Sequence, residues 1–165
     1  MWDTIAQEAA GESPLWAEAL LPLDERMLDA VFSPLLAQPR YALGLETIYE
    51  GYLLHYGRPR LFAPPDRHTS LLLGDYLYAH GLVRVARHQE VECVADLAAL
   101  ISLCAQLRAE DAPGDGQAWA ATATLLGRGP LVETRDPSAL RAAAAESSGA
   151  EAVERALALH RLRVG

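Results

Sequence analysis

The sequence predicts an all-α protein of seven to eight helices. Alanine, leucine, glutamate and arginine dominate its 165 residues while β-branched residues are sparse, which favours helix over sheet. Apolar residues recur at spacings of three and four along most of the chain, and the stretches richest in proline and glycine fall between those periodic segments. A chain of this length buries a core without disulfides or a structural metal, so residues 1–165 are read as one helical domain.

Ser13 before Pro14 is an N-cap followed by proline at the first helical position, and Leu15, Trp16, Ala19 and Leu20 supply a stripe for a short first helix. Pro22 ends it. Asp24 is placed to cap a second helix carrying Met27, Leu28, Val31 and Leu35, with Pro34 kinking or dividing it. A third begins near Arg40, carries Leu43, Ile48, Leu53 and Leu54, and ends at Gly57, expected as a left-handed cap. From Gly57 to Pro65 three prolines enforce a loop.

Asp66 caps a long helix running to about Arg87, and a second long helix from about Glu90 to Glu110 carries Val91, Val94, Leu97, Leu100, Cys104 and Leu107. These two helices are expected to form the core. The turn Ala112-Pro-Gly-Asp-Gly116 leads into an Ala/Thr-rich helix, Gln117 to Leu126, capped by Gly127. Asp136-Pro137 opens another helix, Ser147-Ser148-Gly149 interrupts it, and a last amphipathic helix carries Val153, Ala156, Leu157 and Leu159.

The formal net charge is −8 and there is no lysine, a surface that repels phosphate backbones and excludes nucleic acid as the expected partner. No stretch approaches the roughly 18 apolar residues of a membrane span. The N-terminus lacks a basic and apolar leader, which makes the cytoplasm the expected location. Cys93 and Cys104 both fall in helical apolar patterns and read as buried reduced thiols. His68, His80 and His88 lack the spacing of metal ligands and read as surface or interface residues.

One segment carries a family resemblance. Arg67-His-Thr-Ser-Leu-Leu-Leu-Gly-Asp-Tyr-Leu-Tyr-Ala-His-Gly-Leu82 resembles the helix after the first aspartate-rich motif of trans-prenyl diphosphate synthases, where the pattern is Ala-Ser-x-Leu-x-Gly-Asp-x-Leu-Tyr-x-x-Ala. The preceding loop of that family reads Arg-Arg-Gly-x-Pro, and His55-Tyr56-Gly57-Arg58-Pro59 matches its glycine and proline but not its arginine pair. Ala118 to Gly127 and Ser148-Gly149-Ala150-Glu151-Ala152 are similar to later segments of the family. The resemblance covers Tyr41 to Leu107 best and implies a truncated helical bundle of the isoprenoid-synthase type.

The family's spacing puts the first acidic motif on Glu46, Thr47 and Glu50, and no form of the second motif occurs. Ionising an allylic diphosphate requires several Mg²⁺ ions held by opposed carboxylates, so the resemblance implies a catalytically incompetent relative. Glu46 and Glu50 share a helix face at i and i+4 and are read as an ordinary solvated face. No cofactor is expected, Mg²⁺ entering only if those glutamates sustain residual transfer. Arg58, Arg60 and Arg67 are the candidate remnants of a diphosphate clamp, weighed against plain surface charge. Tyr41 stands at the family position that limits tail length, and Tyr41, Ala42, Leu72 and Tyr76 are the expected lining of an apolar tunnel. Gly74 and Asp75 are read as structural, the glycine letting helices approach. The resemblance leaves several readings open: a regulatory or small subunit of an active polyprenyl diphosphate synthase, a stand-alone protein holding an isoprenoid or other apolar ligand, a residual prenyltransferase, and a self-associating helical protein of another task.

Overall fold

A computed structural model describes residues 1–128 and 134–164. Those residues form eight α-helices: α1 Trp2–Glu12, α2 Pro14–Glu18, α3 Ala42–Tyr56, α4 Arg67–Ala86, α5 Val91–Ala109, α6 Asp115–Leu125, α7 Pro137–Ser148 and α8 Ala150–Val164. Short 3₁₀ turns lie at Ser33–Leu35 and Pro39–Tyr41. The only strand-like pairing among the described residues is an isolated bridge between Leu20 and Phe62, so the class is all-α.

The later helices begin and end where local chemistry dictates. Asp66 accepts from the Thr69 amide at 2.8 Å to open α4, and Asp136 accepts from the Ser138 amide at 3.1 Å before Pro137 sets the first turn of α7. Gly149 at φ +85° separates α7 from α8, and Gly127 at φ +77° lies just past the end of α6. Ser13 caps α2 as expected, through the Leu15 amide at 3.2 Å.

Two expectations for the first forty residues fail. The helix α1, absent from the sequence reading, buries Ile5, Ala6 and Ala9 but has no side-chain cap to announce its start. The helix expected over Asp24 to Leu35 does not form beyond the 3₁₀ turn. Its Met27 N–H donates instead to the remote Arg60 carbonyl at 3.1 Å and its Ser33 N–H to the Glu46 carboxylate at 3.1 Å, while Leu21, just before it, donates to the Leu61 carbonyl at 2.9 Å. Two prolines leave too few residues between them to offset the helix nucleation cost, while the 60–61 loop offers ready acceptors. Gly57 likewise is no left-handed cap. Its φ is −148°, and the position stays small because an added Cβ would lie 2.9 Å from the Arg163 carbonyl oxygen of α8.

The centre of the molecule is α3, buried at every residue from Gly44 to Leu54. A helix buried on all sides belongs in the middle of a bundle. Its main neighbour is α4, and the contact is set by four glycines. Gly44 and Gly51 of α3 oppose Gly81 and Gly74 of α4, each pair seven residues apart on its own helix. A Cβ on Gly51 would lie 2.8 Å from the Gly74 carbonyl oxygen, and one on Gly81 would lie 2.9 Å from that of Gly44. The backbones touch where side chains normally intervene.

The apolar core has two parts. A larger cluster joins α3, α5, α6, α7 and α8 around Trp119, Tyr49, Tyr52 and Phe32. A smaller one joins α1, α2, α3 and α4 through Ile5, Ala9, Leu54, Phe62, Leu73 and Leu77. Cys93 and Cys104 are buried and free, and burial pushes both thiols above the ordinary value. No described helix is long and apolar enough to cross a membrane.

Candidate functional site

The position of the degenerate acidic motif is where sequence and structure differ most. Glu46 and Glu50 are not a solvated face; both are fully buried, one turn apart on α3, with the equally buried Arg60 between them. The Arg60 Nη1 donates to Glu46 Oε2 at 2.7 Å and to the Asp29 carbonyl at 2.8 Å, and its Nε donates to Glu50 Oε2 at 2.9 Å. The other Glu50 oxygen accepts from the Arg60 and Leu61 amides, both at 2.8 Å. Trp2 and Tyr49 lie against the guanidinium, their ring centres 4.6 and 5.0 Å from its central carbon. Burial alone opposes the Arg60 charge, but the two carboxylates outweigh it and raise its pKa.

Chemically, this arrangement is a closed ion triad. Each carboxylate oxygen accepts from the guanidinium or from a main-chain amide, and with both residues buried no edge is left open for an octahedral cation. Thr47, the middle residue of the motif, donates to the Leu43 carbonyl at 2.6 Å and accepts from Arg84. Arg60 is therefore placed as the counterion of the motif. Arg58 instead lies at the surface, donating to the Leu162 carbonyl of α8, and the exposed Arg67 donates to the His55 carbonyl at 2.9 Å. The three arginines face different neighbours.

The four expected tunnel residues are also dispersed. Tyr41 is buried at the start of α3, its ring meeting His88 beyond the C-terminal end of α4. Ala42 is half-buried beside it. Tyr76 packs at a tilt against Trp16 of α2 with ring centres 4.3 Å apart, and Leu72, near the other end of α4, is 59% exposed. Gly74 sits in the α3–α4 contact described above. Asp75 is exposed, 3.2 Å from the imidazole of His55. Burial lowers the His55 pKa against the pull of Asp75.

A polar cluster that sequence reasoning missed lies under Trp119. Tyr52 and Arg108 both donate to Asp115, Arg108 Nη2 also donates to the Tyr52 hydroxyl at 2.8 Å, and the Gly116 amide donates to Asp115 at 2.9 Å. Buried His160 meets the Tyr49 hydroxyl at 2.9 Å through Nδ1 and places Nε2 3.5 Å from Asp115. Burial pushes the Asp115 carboxyl up, but the nearby His160 imidazole, the hydrogen bond from Tyr52 and the Arg108 charge hold it well below the usual carboxylate range. The cluster ties α3, α5, α6 and α8 together. Its members are spread from position 49 to position 160, and no spacing rule links them.

The outward sides of α4 and α5 carry several exposed apolar residues together with the exposed carboxylates Asp75 and Glu92. Leu72, Val83 and Val91 are 59%, 51% and 79% exposed, and Ala79, Ala95, Ala98 and Ala105 lie exposed between them. Among the described residues no group of histidine, cysteine, aspartate and glutamate is placed to hold a metal ion. Neither protein-family models, nor curated proteins, nor solved structures match the chain.

Proposed function

We propose that the chain is a prenyl-synthase-like helical protein without transfer chemistry, which acts as a regulatory or small subunit by docking the α4–α5 face on an active polyprenyl diphosphate synthase. The observation that carries this reading is the closed triad. In the resembled family the place of Glu46 and Glu50 faces metal and diphosphate, whereas here the same two side chains are sealed around Arg60. With that chemistry taken away, what the molecule offers a partner is surface, and the outer sides of α4 and α5 present the exposed Leu72, Val83 and Val91.

The alternative, an apolar ligand held in a tunnel, draws less support. The described cavities range from about 130 to 270 Å³, below the roughly 300–1,000 Å³ of sites that enclose small molecules. Leu72 and Tyr41 also stand at opposite ends of α4.

The test is co-expression with a full-length trans-prenyl synthase from the same source, read by sedimentation and by product chain length. The expected result is a hetero-oligomer with an altered product distribution, abolished by Val91→Glu. A chain that sediments alone at micromolar concentration and leaves the product unchanged overturns the proposal. Self-association alone, equally sensitive to Val91→Glu, transfers the face to a second copy and also overturns the subunit reading.

A further inference from the structure

The chain carries 22 acidic residues against 14 arginines, yet three of those arginines and a histidine line one small cavity. It opens where the first turn of α3 meets the end of α4, is about 160 Å³ in volume, and sets Arg40, Arg84, Arg87 and His88 around a largely apolar lining that includes Tyr41, Leu43 and Val85. Arg84 is the built part of the wall. Its side chain is only 6% exposed, and it is aimed by a bond to the Thr47 hydroxyl, itself fixed by the Leu43 carbonyl at 2.6 Å. Tyr41 supplies a platform, with the Arg40 guanidinium 4.9 Å from its ring centre and His88 edge-on at 5.2 Å.

Two carboxylates balance this charge in part. Glu8 of α1 pairs with Arg84 and Glu90 pairs with Arg40; they are 44% and 38% exposed. Among the described residues Arg87 and His88 have no acidic partner. Three guanidinium groups therefore meet two rim carboxylates that solvent reaches. A monoanion gains little by displacing either one. A dianion that engages several guanidinium groups at once gains charge-assisted, bidentate bonds.

We propose that this cavity binds a dianionic phosphoryl group, as inorganic phosphate or the phosphate of a small monoester, with Glu8 and Glu90 as the resident groups it displaces. The volume admits a phosphoryl group and excludes a prenyl chain. None of the residues that wall the cavity belongs to the Glu46–Arg60–Glu50 triad or is an exposed apolar residue of the α4–α5 face, so the proposal is tested separately from the subunit reading.

The experiment is calorimetric titration of the full chain with inorganic phosphate at neutral pH, with sodium chloride and sodium acetate at matched ionic strength as controls. Phosphate is expected to bind with a millimolar or lower dissociation constant and to raise the melting temperature by a few degrees at saturation, with neither control doing so. Arg87→Gln and Arg40→Gln should each weaken binding about tenfold or more, the loss expected of one charge-assisted contact. Glu90→Gln removes a competitor and should tighten binding several-fold. The exposed Arg161→Gln should leave it unchanged. Equal responses to phosphate and acetate, or phosphate binding that survives the Arg40→Gln/Arg87→Gln double change in a chain that still melts cooperatively, overturns the proposal. Unaltered affinity in Glu90→Gln does so as well, because it removes the displacement on which the preference for a dianion rests.

Discussion

Arg60 shows how one side chain changes the meaning of two others. Glu46 and Glu50 follow a helical period that, taken alone, describes a wet face, and only a guanidinium arriving from the loop ten and fourteen residues further on makes them interior. Breaking that triad strands buried carboxylates, so Arg60→Met should cost about 3–5 kcal/mol in urea unfolding. Arg58→Met, two residues away at the surface, should stay within about 0.5 kcal/mol. Added Mg²⁺ should leave the melting temperature of the native chain unchanged, since both carboxylates are already occupied. Asp115 belongs to the same scale. Its folded pKa lies below the unfolded value of 3.8, so the stability it contributes is present above that pH and is lost as pH falls through the lower folded value. Asp115→Asn should therefore destabilise by about 1.5–3 kcal/mol at neutral pH, with the gap to the native chain narrowing below pH 4 when both are unfolded in urea.

At the scale of elements, the glycines at 44, 51, 74 and 81 set how closely α3 and α4 approach. A methyl on Gly51 meets the Gly74 carbonyl oxygen at 2.8 Å, and forcing backbones apart in a packed core costs about 1–3 kcal/mol, which outweighs the roughly 1 kcal/mol gained in helix propensity. Gly51→Ala should lower the melting temperature. Gly11→Ala, in a helix position with nothing within 4 Å, should raise it; the pair of thermal melts separates packing from propensity. The sevenfold spacing of these glycines was visible in the sequence as a signal of close helix contact, but only Gly74 was singled out, through a motif. Elements with a cap were legible. α4 and α7 begin at the aspartates that sequence logic selected, because an Asp side chain and the amides two or three residues on form a local unit. α1 lacked such a unit, and the segment after Pro22 donates to Arg60 and Glu46, partners that local pattern does not contain.

For the molecule as a whole, the outer sides of α4 and α5 are the surface on which association is predicted, and Val91, 79% exposed, is its most telling residue. Val91→Glu should leave the unfolding free energy within about 0.5 kcal/mol while abolishing any assembly seen by sedimentation, a separation that a purely structural valine does not produce. The sequence by itself determined the all-α class, the two long helices, the loop from Gly57 to Pro65 and the break at Gly149, because periodicity, capping and proline sterics act over a few residues. Only the tertiary structure decided that α3 is the central helix, that Glu46 and Glu50 are sealed by Arg60, that Tyr41 and Leu72 lie far apart, and that Arg40, Arg84 and Arg87 converge. Burial and charge pairing depend on which distant segments meet, and a one-dimensional pattern does not encode that meeting locally.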